Sequence, residues 1–259
     1  MKARGFFSVI YEDDEIIVVD KAPGISVIGD RWDESAERLD RLVSARLGGA
    51  KVYTAHRIDR DTSGLVLFAK TEAAHRRLSL AFEGRDVGKR YLAIVRGRPA
   101  WKETECDLRL VPDGNKKHMT IVDKFRGKPS LTRFAVLGGA GGFSLVEARP
   151  ETGRTHQIRA HAAALGFPIA CDALYGSPEA VLLSAIKKGW RGDKLEERPL
   201  LARLGLHAAE IALAKEALAP PGESSDGLRF RAPAPKDMAA LISQMEKAAG
   251  SIFIPNGVY

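Results

Sequence analysis

The sequence predicts one globular domain of mixed strands and helices, and three observations carry that expectation. Short apolar runs rich in strand formers alternate with longer stretches whose apolar residues recur at helical spacing. The 259 residues can bury about 70–75% of the unfolded chain's surface without disulfides or metals to staple it. No internal repeat or low-complexity linker separates the elements, so a single domain is the simplest account of a length that also suits two small ones.

In chain order, Glu15 to Asp20 (EIIVVD) reads as a buried strand, turned by Ala22-Pro23-Gly24. Asp33 to Gly48 reads as a helix capped by Asp33 or Ser35, with Leu39, Leu42, Val43 and Leu47 on one face and Gly48-Gly49 stopping it. Leu65 to Ala69 is a short apolar strand, and Thr71 opens a second helix with Glu72 in its first turn and Gly84 at its end. Lys89 to Gly97 alternates as a half-exposed strand, with Tyr91, Ala93 and Val95 on one face and Arg90, Leu92 and Ile94 on the other. Leu131 to Leu137 and Phe143 to Ala148 form a hairpin across Gly138-Gly139-Ala140-Gly141-Gly142. Those glycines lack the Lys-Ser/Thr pair and following helix of a phosphate cradle. Thr155 caps a helix through Leu165, with Ile158, Ala162 and Leu165 burying one side. Ser177 to Arg203 is a basic segment holding Lys187, Lys188, Arg191, Lys194 and Arg198, and Leu206 to Ala214 returns as a strand. A last helix, Lys236 to Ala249, packs Met238, Leu241, Ile242 and Met245.

Composition narrows the class. Hydrophobic residues at 45% and charged residues at 28% argue against a disordered or fibrous chain. No apolar run is long enough to span a bilayer, and the opening MKARGFFSVIYEDDE lacks a signal peptide's apolar stretch and cleavage site. A cytoplasmic protein without a membrane partner is expected. Cys106 and Cys171 have no spacing suited to a metal clip or redox pair and read as buried thiols. The formal charge of +7 favours an anionic partner such as nucleic acid.

Two stretches carry chemistry. AHRIDRDTSGLVLFAK, Ala55 to Lys70, sets the carboxylate Asp59 among His56, Arg57, Arg60, Thr62 and Ser63, groups able to grip a polyanion. The ordinary alternative is that Asp59 and Asp61 only shape the loop. The second stretch is ETGRTHQIRAHAAALGFPIACDALYG, Glu151 to Gly176, where Thr155, His156 and Arg159 share a helical face headed by Arg154 and make a fair anion site. His156 and His161 are five apart with no carboxylate between them, so no metal is expected.

HRIDRDTSGLVLFAK resembles the HRLD-x-x-TSG signature of the RluA-type pseudouridine synthases. KRYLAIVRG is similar to that family's tyrosine strand, and GRTHQIRAHAAALGFPIACDALYG to its arginine motif. All three stand in the family's order at similar separations, within a resemblance covering about residues 11–233. It implies an α+β fold: a single catalytic domain over 1–259 with a mostly antiparallel mixed sheet, flanking helices and a cleft across the centre. A basic insertion at about 177–203 and the C-terminal helix at about 236–249 belong to it, and no S4-like RNA-binding domain is expected before Tyr11. The catalytic aspartate then falls on Asp59, the base-stacking tyrosine on Tyr91, the arginine partnering the aspartate on Arg159, and the arginine that helps extrude the base on Arg57. Ile58 replaces the family's usual leucine, and the segment from Gly176 to His207 is longer and more basic than in typical members.

The implied reaction converts uridine in ribosomal or transfer RNA to pseudouridine, with RNA as partner, no cofactor and a monomeric enzyme. The N1–C1′ bond breaks, the uracil turns, C5 joins C1′ and the C5 proton leaves, a redox-neutral isomerisation. Asp59 serves as nucleophile or base, an arginine beside it lowers a carboxylate pKa by about 1–3 units, and the base must be flipped out. RNA contacts are expected from Arg57, Arg60 and Thr62, from Arg154, Thr155 and His156, and from Lys187, Lys188 and Arg191 of the insertion. The rival readings are a non-catalytic RNA-binding module, which gives no reason for Asp59 amid arginines, and a glycoside hydrolase or base-excision glycosylase, the former of which needs a paired acid and nucleophile whose partner the motifs do not identify.

Overall fold

The computed structural model describes residues 5–29, 37–115, 119–193, 195–214 and 227–249. The chain forms two compact units, residues 1–89 with 208–233, and residues 90–207 with 234–259. Two of the three crossings fall inside strands, β5 (Val87–Arg96) and β11 (Leu206–Leu213).

The first unit holds β1 (Phe7–Glu12), β2 (Ile16–Lys21), α1 (Leu39–Arg46), β3 (Tyr53–Thr54), β4 (Ser63–Ala69), α2 (Glu72–Gly84), most of β11 and β12 (Leu228–Arg231). β2 pairs antiparallel with β1 on one side and β4 on the other, so Val19 lies between Val9 and Val66. With neighbours on both sides and apolar contacts on both faces, β2 and β4 are buried along almost their whole length. That is why their sequences are nearly unbroken apolar runs. Ile16, Val18, Leu65 and Leu67 pack with Ala74, Leu78 and Ala81 of α2 and with Ile211, Leu213 and Phe230. α2 starts as expected, Thr71 Oγ1 accepting the Ala74 N–H at 3.1 Å. Arg38 rather than Asp33 or Ser35 stands at the described start of α1; both of those residues lie outside the described ones.

The strand expected from Leu65 begins two residues earlier, and Gly64 is the second residue of β4. Its φ is +111°, and a Cβ there would sit 2.3 Å from the Ala208 carbonyl oxygen. Only glycine lets the two backbones approach so closely at the end of the strand that carries the Asp59 loop.

The second unit holds the rest of β5, β6 (Glu103–Cys106), β7 (Leu110–Val111), β8 (Ile121–Val122), β9 (Thr132–Ala140), β10 (Phe143–Pro150), α3 (Gln157–Ala164), α4 (Leu183–Ile186) and α5 (Lys236–Ala249). β10 pairs antiparallel with β5 and β9, and β6 extends the sheet beyond β9. Ala93, Val95, Val146 and Ala148 pack against Ile158 and Ala162 of α3 and against Ile169, Leu204 and Leu206. β5 is therefore not half-exposed: Leu92 to Val95 is buried on both faces, because helix and loop cover what a lone hairpin would leave wet. The glycine loop is shorter than expected. Ala140 pairs with Phe143, so Gly141 and Gly142, with φ of +56° and +81°, make a two-residue turn of the kind that needs positive φ at both positions. The described registers are antiparallel and helices flank the sheets, an α+β fold of the expected class.

Candidate active site

Asp59 stands half-buried on the irregular loop between β3 and β4, with Arg57 and Arg60 exposed on either side. The loop is pinned at the next residue. The Arg60 carbonyl oxygen accepts from Lys21 Nζ at 2.9 Å and from the Gly24 N–H at 2.8 Å, while Arg60 Nε donates to the Gly24 carbonyl at 3.1 Å. Lys21, 0% exposed, also donates to the Ala22 and Ile25 carbonyls at 2.8 and 2.9 Å. A buried ammonium is tolerated only when its donors are used, and this one ties the turn after β2 to the loop carrying Asp59. Lys21 is a site-positioning residue that sequence reasoning passed over; its signal is a lysine closing a strand of buried residues. The Thr62 N–H donates to the Asp59 carbonyl at 3.2 Å and closes the turn.

Two neighbours depart from the expected RNA-gripping set. Thr62 is 1% exposed and its Oγ1 has no hydrogen-bond partner, so it offers no surface to a phosphate. His56 lies face to face with Phe82, ring centroids 4.6 Å apart, and its Nε2 accepts the Leu67 N–H at 2.9 Å. Burial, with a smaller push from Lys89, holds its pKa down at about 3, so it is a neutral brace for β4 rather than a cation. Because the folded pKa lies below the ordinary 6.5, the unfolded chain binds a proton in between that the native protein does not. His56 therefore contributes stability above about pH 6.5 that is lost as pH falls toward 3. His161, buried and also shifted down, acts in the same direction. Denaturant unfolding as a function of pH should show stability falling below pH 6.5. In His56→Gln, which keeps an acceptor for Leu67, the slope should flatten by up to about 1.4 kcal/mol per pH unit. An unchanged slope would show that His56 does not titrate as described.

In the second unit, Arg159 is 7% exposed on α3. Its Nε and Nη2 donate to the two oxygens of Asp172, both at 2.8 Å. Asp172, 1% exposed, also accepts the N–H groups of Leu174 and Tyr175 at 3.0 and 3.2 Å. The Tyr175 ring lies 5.1 Å from the guanidinium. Its hydroxyl accepts the Thr120 N–H at 2.7 Å and sits 3.1 Å from His156 Nδ1; burial pushes the phenol's pKa up, keeping it protonated. The resemblance implies Asp59 as the partner of Arg159, and Asp172 is a partner that reading missed. The signal was a lone carboxylate in FPIACDALYG.

α3 is built differently from the expectation. Thr155 is not its cap: the helix begins at Gln157, preceded by His156 in the left-handed region at φ 51°. No side chain caps the helix; Gln157, its first residue, ties down the preceding turn instead, its Oε1 accepting from Thr152 Oγ1 at 2.6 Å and from the Arg154 N–H at 3.0 Å. Nor does α3 show an exposed polar face, since residues 157–162 are all buried, with His161 bonded to Thr132 Oγ1 and the Leu108 carbonyl. Of the expected anion site, Thr155 is exposed and His156 half-buried, and Arg154 Nε reaches the Pro129 carbonyl at 3.3 Å. Tyr91 is half-buried on β5 opposite Ala148, and Lys187, Lys188 and Arg191 are exposed. Both cysteines are buried. Among the described residues no group of three or more His, Cys, Asp or Glu is arranged to hold a metal, and no helix is long and apolar enough to cross a membrane.

A family model described as RNA pseudouridylate synthase matches residues 15–164, a span containing the Asp59 loop, Tyr91 and Arg159. The chain belongs to that family. An uncharacterized RNA pseudouridine synthase of Zymomonas mobilis is 38% identical over 208 residues, covering 78% of this chain and 94% of the relative. The dual-specificity RNA pseudouridine synthase RluA of Escherichia coli K12 is 33% identical over 227 residues, covering 87% and 92%. The solved structure of human RNA pseudouridylate synthase domain containing 1 superposes with a TM-score of 0.69 at 25% identity, covering 99% of this chain and 94% of that one. This synthase is therefore an RNA-modifying isomerase that converts uridine to pseudouridine, and the non-catalytic module and the glycoside hydrolase are set aside. The family match ends with α3, so Asp172 and Tyr175, which hold Arg159, lie beyond it.

Proposed function

We propose that the synthase modifies uridines of ribosomal or transfer RNA in the cytoplasm, acting as a monomeric single catalytic domain with Asp59 as the essential carboxylate. The observation that carries this reading is the pinned loop: Lys21 and Gly24 fix the carbonyl one residue from Asp59, which holds the backbone beside a reacting group in place. Support for the RNA class comes from the Escherichia coli relative, named as dual-specificity, and from a Vibrio cholerae relative, 34% identical over 241 residues, named a ribosomal large subunit pseudouridine synthase. Asp59 attacks the sugar or acts as base there; Tyr91 stacks on the uracil and helps remove the C5 proton. Arg159 orients Asp59, and Arg57, Arg60, Arg154, Thr155 and His156 meet the RNA backbone.

The Asp172 pair alters how Arg159 works. A guanidinium has five donors, and Asp172 takes two of those of Arg159. With one negative partner already in place, Arg159 acts on Asp59 more as an aimed donor than as a net positive charge.

Mapping pseudouridines in RNA from cells with and without the gene tests the substrate, and sites lost from neither ribosomal nor transfer RNA would overturn it. For Tyr91, the Phe variant should bind RNA normally and stall after the glycosidic bond breaks, whereas Tyr91→Leu should lose about 1–3 kcal/mol of stacking. Full turnover by Tyr91→Phe would restrict the residue to stacking.

A further inference from the structure

A groove of about 930 Å³ in the second unit is lined by the β9–β10 hairpin, α4 with the turn that follows it, and the last turns of α5. Four cations line it, Arg98, Lys187, Lys188 and Lys247, together with Trp190, and no carboxylate is among the lining residues. The groove is a built feature. The Trp190 N–H donates to the Lys187 carbonyl at 3.2 Å across Gly189, whose φ is +72°, and this tight turn gathers both lysines and the indole at one place. A Cβ on Gly192 would lie 2.2 Å from the Trp190 ring, so backbone backs the indole directly and holds it as a platform. Across the groove a Cβ on Gly141 would lie 2.1 Å from the Ala185 carbonyl, and one on Gly139 3.1 Å from Arg98 Nε. The glycines of the hairpin thus let α4 and Arg98 close onto it. Arg191, next to Trp190 in sequence, does not line the groove.

We propose that this groove binds an unpaired stretch of RNA, one base stacking on Trp190 while Lys187, Lys188, Lys247 and Arg98 neutralise the adjoining phosphates. A basic track with an aromatic platform, no carboxylate and a single side-chain amide, Gln244, in its lining suits single strands with little sequence preference. The proposal rests on RNA being the substrate and deepens that reading, giving the synthase a grip on unpaired RNA separate from the pocket for the reacting uridine.

The probe is a labelled oligocytidylate, which offers no uridine to be isomerised, compared with a blunt paired hairpin carrying the same number of phosphates; anisotropy is followed across a salt series on the full chain. Lys187→Ala with Lys188→Ala should lower the slope of log affinity against log salt by about 1.4, about 0.7 for each lost contact on a single strand. Trp190→Ala should weaken oligocytidylate binding about tenfold or more, and Trp190→Phe should restore most of it. Hairpin affinity should move much less than oligocytidylate affinity in the Trp190 variants. Unchanged oligocytidylate binding in both the lysine pair and Trp190→Ala would overturn the proposal, as would equal weakening of oligocytidylate and hairpin. Tritium release from uridine-labelled RNA by the unaltered protein is measured alongside. Its absence would sink the substrate assignment, whereas its presence with unchanged oligocytidylate binding would sink the groove alone.

Discussion

Asp59→Asn is expected to abolish turnover, by at least about 10⁴-fold, the scale on which removal of a reacting side chain is felt. The amide keeps the shape of the carboxylate and removes its nucleophilicity and its charge. The Lys21 and Gly24 bonds that pin the loop go to the Arg60 carbonyl, and Thr62 bonds the Asp59 carbonyl rather than its side chain. Melting temperature and RNA affinity should therefore stay close to those of the unaltered protein. Release of tritium from RNA labelled at uridine C5 measures the loss, and appreciable release by the variant would remove Asp59 from the chemistry.

The second large effect concerns the buried pair. Arg159→Met leaves Asp172 as a carboxylate at 1% exposure without its bidentate partner, and breaking such a pair costs about 3–5 kcal/mol. At about 2–4 °C per kcal/mol for a chain of this size, melting should fall by roughly 10 °C. Adding Asp172→Asn removes the stranded charge and keeps an acceptor for the Leu174 and Tyr175 N–H groups, so the double variant should regain most of the lost stability. Its turnover should stay low, because no guanidinium remains to aim Asp59. Stability and turnover recovering together would make Arg159 a structural residue only.

What the sequence reveals depends on whether local pattern or distant contact decides each feature. β2, β4, α2 and α5 are legible because their burial is written in their own residues: apolar runs for the strands, Thr71 as a cap, and Met238, Leu241, Ile242 and Met245 on one helical face. β1 is not, since its residues alternate only between half-buried and exposed at a sheet edge. The start of α3 escapes because a glutamine inside the helix, rather than the threonine before it, satisfies the turn. In the site, it is the resemblance to the RluA-type synthases, carried by three motifs in order, that points to Asp59, Tyr91 and Arg159. Lys21 and Asp172 act through three-dimensional contacts to carbonyls and to a guanidinium that no periodicity announces.

The two anchoring contacts also differ in when the folding chain can make them. Arg159 and Asp172 are 13 residues apart, whereas Lys21 and the Arg60 carbonyl are separated by 39. Loop-closure entropy grows with the logarithm of length, so the second contact costs about 1 kcal/mol more to close than the first. The arginine segment has the shorter search, so its pair is expected to close before the aspartate loop, which also needs β2 and β4 in register.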